Sequence, residues 1–465
     1  MNKGDIMSKK KGKLISVLGA RNYITVNYDE FDECEYIQEA LIRKYKDELS
    51  EVLIFATEAA QQKNWNEYTY QDRNDQEVYK MGLKKKIDNI IEEYDLDLKI
   101  KLIDIPEGFS EEELWEIFNI FTNEINEGDD IYFDVTHGFR YLAMLMMNIL
   151  NYVKLSKNAE VKSIEYGLFE QLGPAYKVAE LPLEDRNARI LDLTSFDYLN
   201  DWVVGVDNFI NTGDADKINN LSGRSIGKMF AQDESMDDQT RKLINKISKL
   251  IKSLKYFNDE IKTARGNKLN NTILNILSLL DEIENFETDS NNRISPLINL
   301  IDKIKDKFSI FDKNDKKGLK NYFQLLKWCK EHKLVQQGLV IFRENMISTI
   351  ADEINEPYLP EHMKEKDYDY TLIEIRDEIG NALYSLIEED QEYNPITNQE
   401  KFDFIRKGIK ENFNDFLALY DKFRYKRNDV SHFGLSENSA SQGQKVIDNF
   451  DNYTDELQQL LEEKY

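Results

Sequence analysis

The chain has 465 residues, too many for one ordinary core, so two or three domains are expected. Its formal charge of -26, from 61 Lys and Arg against 87 Asp and Glu, argues against a general nucleic-acid coat, which needs cations to neutralise phosphates; any nucleic acid must meet a local basic patch. Two distant cysteines, Cys34 and Cys329, support neither a disulfide framework nor a zinc site, and neither the apolar-leaning stretch Leu142 to Val153 nor the basic start Met1 to Lys13 reads as a membrane span or signal peptide, so a cytoplasmic protein with no membrane partner is expected.

From Lys13 to about Leu183, short β-branched runs alternate with amphipathic stretches, the pattern of a parallel α/β sheet. The predicted strands are Leu14 to Leu18, Val52 to Ala56, Leu98 to Ile103 and Ile131 to Val135, with Val161 to Phe169 and Tyr176 to Ala179 forming a closing hairpin across a turn at Gly173-Pro174. Helices are predicted at Gln76 to Tyr94, Ser110 to Asn126 and Phe139 to Leu155, and Ser110 followed by Glu113 is a capping box. Pro182 to Ser195 is the expected linker. Beyond it strand-like alternation vanishes and helical segments alternate with Asn, Asp, Lys and Gly clusters, so the second half is expected to be all-α.

In an open parallel sheet, ligands bind outside the carboxyl ends of the strands. Three loops stand there: Gly19, Ala20, Arg21, Asn22 and Tyr23 after the first strand; Thr57, Glu58 and Ala59 after the second; and Thr136, His137, Gly138, Phe139 and Arg140 after the fourth. The last combines a glycine, a hydroxyl, an imidazole and a guanidinium at a helix start, a chemistry suited to phosphate. The competing reading is that His137 and Arg140 only cap and salt-bridge the helix. No GxGxxG is present, which argues against a dinucleotide cofactor.

Leu18-Gly19 through Tyr28, Thr57-Glu58-Ala59 with Asn64-Trp65, and above all Asp134-Val135-Thr136-His137-Gly138-Phe139-Arg140 resemble the CARF domain of type III CRISPR accessory proteins. The similarity continues through Tyr166-Gly167 to Asp192-Leu193-Thr194 and Trp202. The resemblance implies a Rossmann-like domain over residues 11–183, a linker over 184–200 and an all-α domain over 201–465. It also implies a pocket for a cyclic oligoadenylate activator, with cyclic tetra-adenylate the expected ring, across a two-fold homodimer interface. Gly19, Ala20, Arg21, Asn22, Thr136, His137, Gly138 and Arg140 would line that pocket, with Thr57 nearby. Arg21 and Ala20 depart from the small or hydroxylated residues usual in relatives.

Near the end, a helix with an apolar face at Phe402, Ile405, Ile409, Phe413, Phe416, Tyr420 and Phe423 leads into a cationic cluster, Lys422, Arg424, Lys426 and Arg427, then Asn428 and His432, with Gly434 ending it. Arg427 and His432 are spaced as in the R-x4-6-H motif of HEPN ribonucleases, which this segment resembles. Such a pair is common in helical proteins, and a buried or capping histidine is the rival reading. The resemblance implies metal-independent cleavage of single-stranded RNA by attack of the ribose 2'-hydroxyl. His432 would move protons, Arg427 would hold charge on phosphorus and Asn428 would orient the histidine or the phosphate. One histidine per chain favours a site composed across a dimer, with no cofactor. Five residues of straight α-helix turn the side chain by about 140°, so the helix end is expected to bend. Gln337 and Glu344 are secondary candidates, more simply read as a polar stripe, and His332 and His362 read as exposed. Two alternatives stand beside this reading: a ligand-sensing regulator without nuclease activity, and an N-terminal pocket that also cleaves its ligand through Thr136 or His137.

Overall fold

A computed structural model describes residues 12–71, 77–137, 140–220, 237–286, 295–354, 373–388, 395, 399–431, 435 and 442–464. The chain divides into two compact units, Met1–Tyr198 and Leu199–Tyr465.

In chain order the first unit holds β1 (Gly12–Leu18), β2 (Val26–Tyr28), β3 (Phe31–Cys34), α1 (Ile37–Lys44), β4 (Leu49–Ala56) and a turn of helix α2 (Glu58–Ala60) that widens into a π-turn through Trp65. Then come β5 (Tyr68–Gln71), β6 (Glu77–Lys80), α3 (Leu83–Tyr94), β7 (Lys99–Asp104), α4 (Glu111–Glu124), β8 (Asp130–Asp134), α5 (Arg140–Ser156), β9 (Glu160–Leu168), α6 (Ala175–Val178) and β10 (Asn187–Asp192). Eight strands form one sheet in the order β3-β2-β10-β9-β8-β1-β4-β7, and β5 and β6 form a separate hairpin.

Strand β1 is buried along its whole length and lies between β4 and β8, parallel to both, with Ile15 opposite Leu53 on one side and Phe133 on the other. This double burial is why its sequence is a nearly continuous apolar run. Leu14 and Leu18 face a layer that includes Ile37, Leu41, Leu83 and Ile87, whereas Ile15 and Val17 face Ile117, Phe121, Ile149 and Val153. The chain runs from β1 out to β4 and β7, then crosses back to β8 and β9 on the other side. The crossover makes the carboxyl ends of β1 and β8 a topological switch point, where loops diverge and leave a crevice.

The predicted parallel strands are present, and Ser110 caps α4 by accepting from Glu113 N-H at 3.2 Å. Three expectations are corrected. Tyr176 to Ala179 is not a strand: Pro174 starts the short helix α6, and the antiparallel partner of β9 is β10. That strand, with the start of the next helix, occupies most of the segment expected to be a linker; its polar, half-exposed pattern hid it. The helix expected from Gln76 begins only at Leu83. Gly82 breaks it where a Cβ would lie 2.3 Å from the Trp65 carbonyl oxygen, and Glu77 to Lys80 pair with β5.

Helix α7 (Thr194–Thr212) crosses into the second unit, which is helical throughout its described residues: α8 (Asp238–Lys262), α9 (Leu269–Glu284), α10 (Ser295–Phe308), α11 (Leu319–Glu331), α12 (Val335–Ile354), α13 (Ile373–Ile387), α14 (Gln399–Asn412), α15 (Asn414–Ser431) and α16 (Gly443–Lys464). An α/β domain followed by an all-α region is the architecture expected. One core gathers Trp202, Phe209, Phe257, Phe308 and Trp328; a second gathers Phe342, Phe402, Phe413, Phe423 and Phe450, and α11 feeds both. The seven apolar residues predicted to share one face are all buried, although the helix that carries them is split at Phe413 into α14 and α15. His332 is buried rather than exposed, its ring 4.5 Å from that of Trp328; His362 lies outside the described residues.

Candidate functional sites

At the switch point, the loop after β1 is held from below by a fully buried Asn64. Its amide donates to the carbonyls of Gly19 at 2.8 Å and Arg21 at 2.9 Å, and its oxygen accepts from Lys80 Nζ at 2.9 Å. Gly19 N-H donates to Tyr23 Oη at 2.8 Å, and the Tyr23 ring meets the His137 ring edge-on at 4.7 Å. A Cβ on Gly19 would come within 3.0 Å of Tyr23 Oη and 3.9 Å of His137 Cβ. The loops after β1 and β8 are therefore in contact, while Ala20, Arg21 and Asn22 are exposed.

Beneath them, Asp134 is buried and accepts from Ser16 Oγ at 2.6 Å and from Thr136 N-H at 2.9 Å. Burial raises its carboxyl above the ordinary range, against the pull of the Ser16 and Thr136 bonds. The Thr136 hydroxyl is committed too: it accepts from Gly167 N-H at 2.8 Å and bonds to Asp134. Burial, and then the charge of Arg21, push His137 down to about 4, so its imidazole is neutral near pH 7, and Nε2 has no hydrogen-bond partner among the described residues. A neutral ring contributes a hydrogen bond to a phosphate or ribose, not a charge. Thr57 caps α2 by accepting from Ala60 N-H at 3.4 Å, one strand over, since Leu18 and Ala56 are paired neighbours. Arg140 opens α5; Gly138 lies outside the described residues.

In the helical unit, a cavity of about 410 Å³ lies among α12, α13 and α15. Arg427 and Asn428 line it with Arg343, Asn381, Tyr384 and Arg424, on a floor where the Phe342 and Phe423 rings stack at 3.7 Å. Arg424 is fixed as structure: it donates to Glu388 at 3.0 Å and Asp421 at 3.1 Å, with its guanidinium 4.6 Å from the centre of the Tyr384 ring. Lys422 is paired with Glu456 at 2.8 Å, so the cationic cluster is partly neutralised. Arg427 makes only a 3.0 Å bond to its neighbour Asn428 and is not ion-paired among the described residues. The two sequence-predicted residues thus share a concave site with Arg343, Asn381 and Tyr384, which sequence reading missed because they come from helices far apart in the chain.

His432 lies outside the described residues; α15 is regular through Ser431. Glu344 does not line the cavity. It binds Arg343 and, at 2.7 Å, Arg376; burial alone would raise its carboxyl, but these partners outweigh burial and hold it low. Gln337 is half-buried on α12, also away from the cavity lining.

Residues 13–170 match the family model of the CARF domain of the CRISPR system endoribonuclease Csx1. The first unit is a CARF domain, as the Asp134 to Arg140 segment led us to expect. Among curated proteins, the chain is similar to the CRISPR-associated protein MJ1674 of Methanocaldococcus jannaschii, 25% identical over 286 residues. That match covers 59% of this chain and only 38% of the relative. Among solved structures, the chain is similar to Enterococcus italicus Csm6 bound to cyclic hexa-2'-fluoro-hexa-dAMP, with a TM-score of 0.42 and 15% identity over 96% of this chain and 93% of that one.

Proposed function

We propose that the protein is a cyclic-oligoadenylate-activated endoribonuclease of CRISPR antiviral defence, acting in the cytoplasm as a homodimer. The CARF domain senses the ligand through the Gly19 to Asn22 and Thr136 to Arg140 loops, with Thr57 beside them. The helical unit cuts single-stranded RNA without a metal. The observation that carries the nuclease reading is the placement of Arg427 and Asn428 in one cavity, with Arg427 free of any acidic partner among the described residues.

In this mechanism the scissile phosphate docks against Arg427. The ribose 2'-oxygen attacks phosphorus, its proton passing to a histidine, and the leaving 5'-oxygen takes a proton, giving a 2',3'-cyclic phosphate and a 5'-hydroxyl. The Arg427 guanidinium holds the charge that grows on the non-bridging oxygens, and Asn428 orients that guanidinium. His432 from each of two chains supplies the base and the acid. Ligand activates by binding the active arrangement more tightly than the resting one.

The test is cleavage of single-stranded RNA by wild type and His432→Ala, each with and without cyclic oligoadenylate. Only wild type with ligand should cut at full rate. Equal rates in all four reactions would leave a sensing regulator instead.

A further inference from the structure

A second cavity, of about 660 Å³, lies in the helical unit between residues 314–317, α11, the C-terminal half of α12 and the end of α16. It shares no residue with the Arg427 cavity. Its size suits a small organic ligand.

Two of its lining groups carry unanswered hydrogen-bonding capacity. Thr349 is 6% exposed, and its Oγ1 is buried without a partner, although a helical threonine ordinarily returns its hydroxyl to the carbonyl one turn back. Gln458 Nε2, reaching the same cavity from α16, is likewise buried and unpartnered among the described residues. Buried polar groups left in this state cost stability unless something meets them, and here the two residues that carry them line one cavity.

Leu319, Phe323 and Leu461 supply apolar parts of its lining. Four carboxylates and four lysines line it, and they are not equally engaged. Asp315 is spent on the N-H groups of Gly318 and Asn321 at 2.9 and 2.8 Å, and Asp352 pairs with Lys317 at 2.6 Å. Glu353 and Glu462 also reach the rim. Lys316, Lys320 and Lys327 have no ion-pair partner among the described residues, and Lys320 and Lys327 lie two turns apart on one face of α11. An apolar wall, a hydroxyl and an amide inside, and unpaired ammonium groups at the mouth complement a flat heteroaromatic ring that carries an anion.

We propose that this cavity binds a nucleoside monophosphate, the base lying against Phe323 with its polar edge met by Thr349 and Gln458, and the phosphate held by Lys320 and Lys327. The site is independent of the nuclease reading, and either can fail alone.

The experiment uses the full chain with AMP, GMP, CMP and UMP as probes, by isothermal titration calorimetry and by hydrogen–deuterium exchange to locate the contact. At least one nucleotide should bind and protect residues 314–327 and 345–353. Thr349→Val, which is nearly isosteric, and Lys320→Glu should each weaken it at least tenfold, and Arg427→Ala should not. Binding by none of the four, protection confined to the first unit or to residues 420–431, or affinity unmoved by both cavity substitutions would overturn the proposal.

Discussion

Removing Asn64 should lower both the stability of the first unit and its affinity for ligand. The side chain makes three bonds, at 2.8, 2.9 and 2.9 Å, two of them to carbonyls of the loop that follows β1. Each is worth about 1 kcal/mol net, and the half-buried Gly19 carbonyl pays an added desolvation penalty when left alone. The Arg21 backbone lies in an exposed stretch and can rehydrate, and Lys80 keeps its ion pair with Glu35 at 3.5 Å. Asn64→Ala should therefore cost about 2–3 kcal/mol, measured by urea unfolding of the full chain. If the loop is ordered only about a tenth of the time in the variant, affinity for cyclic oligoadenylate falls about tenfold, because apparent affinity scales with the competent fraction. Asn64→Asp keeps the volume and the Lys80 contact but turns an acceptor toward two carbonyls, so it should lose affinity at least as strongly. Calorimetric titration with cyclic oligoadenylate decides: wild-type affinity in both variants would refute the idea that Asn64 sets the loop.

His137, held at about 4 against an unfolded value near 6.5, leaves the unfolded chain the stronger proton binder between those values. Stability should thus fall as pH drops from about 6.5 to 4, by at most about 3 kcal/mol from this group, while a histidine ring titration by NMR shows no protonation of His137 between pH 6 and 8. Phe342→Ala empties one half of the stacked, fully buried pair with Phe423 and should destabilise the helical unit by about 3–5 kcal/mol, read by chemical denaturation. Arg427→Ala should abolish RNA cleavage while moving the melting temperature by no more than about 2 °C, since it breaks only a neighbour contact. Arg424→Ala should do the reverse in thermal scans, lowering stability by about 1–3 kcal/mol through the loss of its Glu388 and Asp421 bonds.

The parallel strands were legible because burial on both faces forces apolar runs, as in Leu14 to Leu18, and α4 was legible because Ser110 is followed by Glu113. The outer strands were not. β2, β3 and β10 are three to six residues long and carry polar residues, so Asn187 to Asp192 has the composition of a linker, and only its pairing with β9 and β2 makes it a strand. Much the same holds for the sites. Loops at strand ends can be found in sequence, and Arg427 with Asn428 stood out as a motif, but the support of Asn64 beneath Gly19 spans 45 positions and the company of Arg343 and Asn381 spans three helices. No local pattern encodes those contacts. The polar residues Ser16 and Asp134 inside apolar strands were the one available hint of the buried network under the loops that follow β1 and β8.

The coupling between the two units is the central claim, and a titration of RNA cleavage against cyclic oligoadenylates of different ring size tests it most directly. Cleavage that rises and saturates with one ring, cyclic tetra-adenylate being the expected one, and that disappears in Arg140→Ala as well as in His432→Ala, is the predicted result. Cleavage at a constant rate whatever ring is added, or none at any concentration, would contradict it.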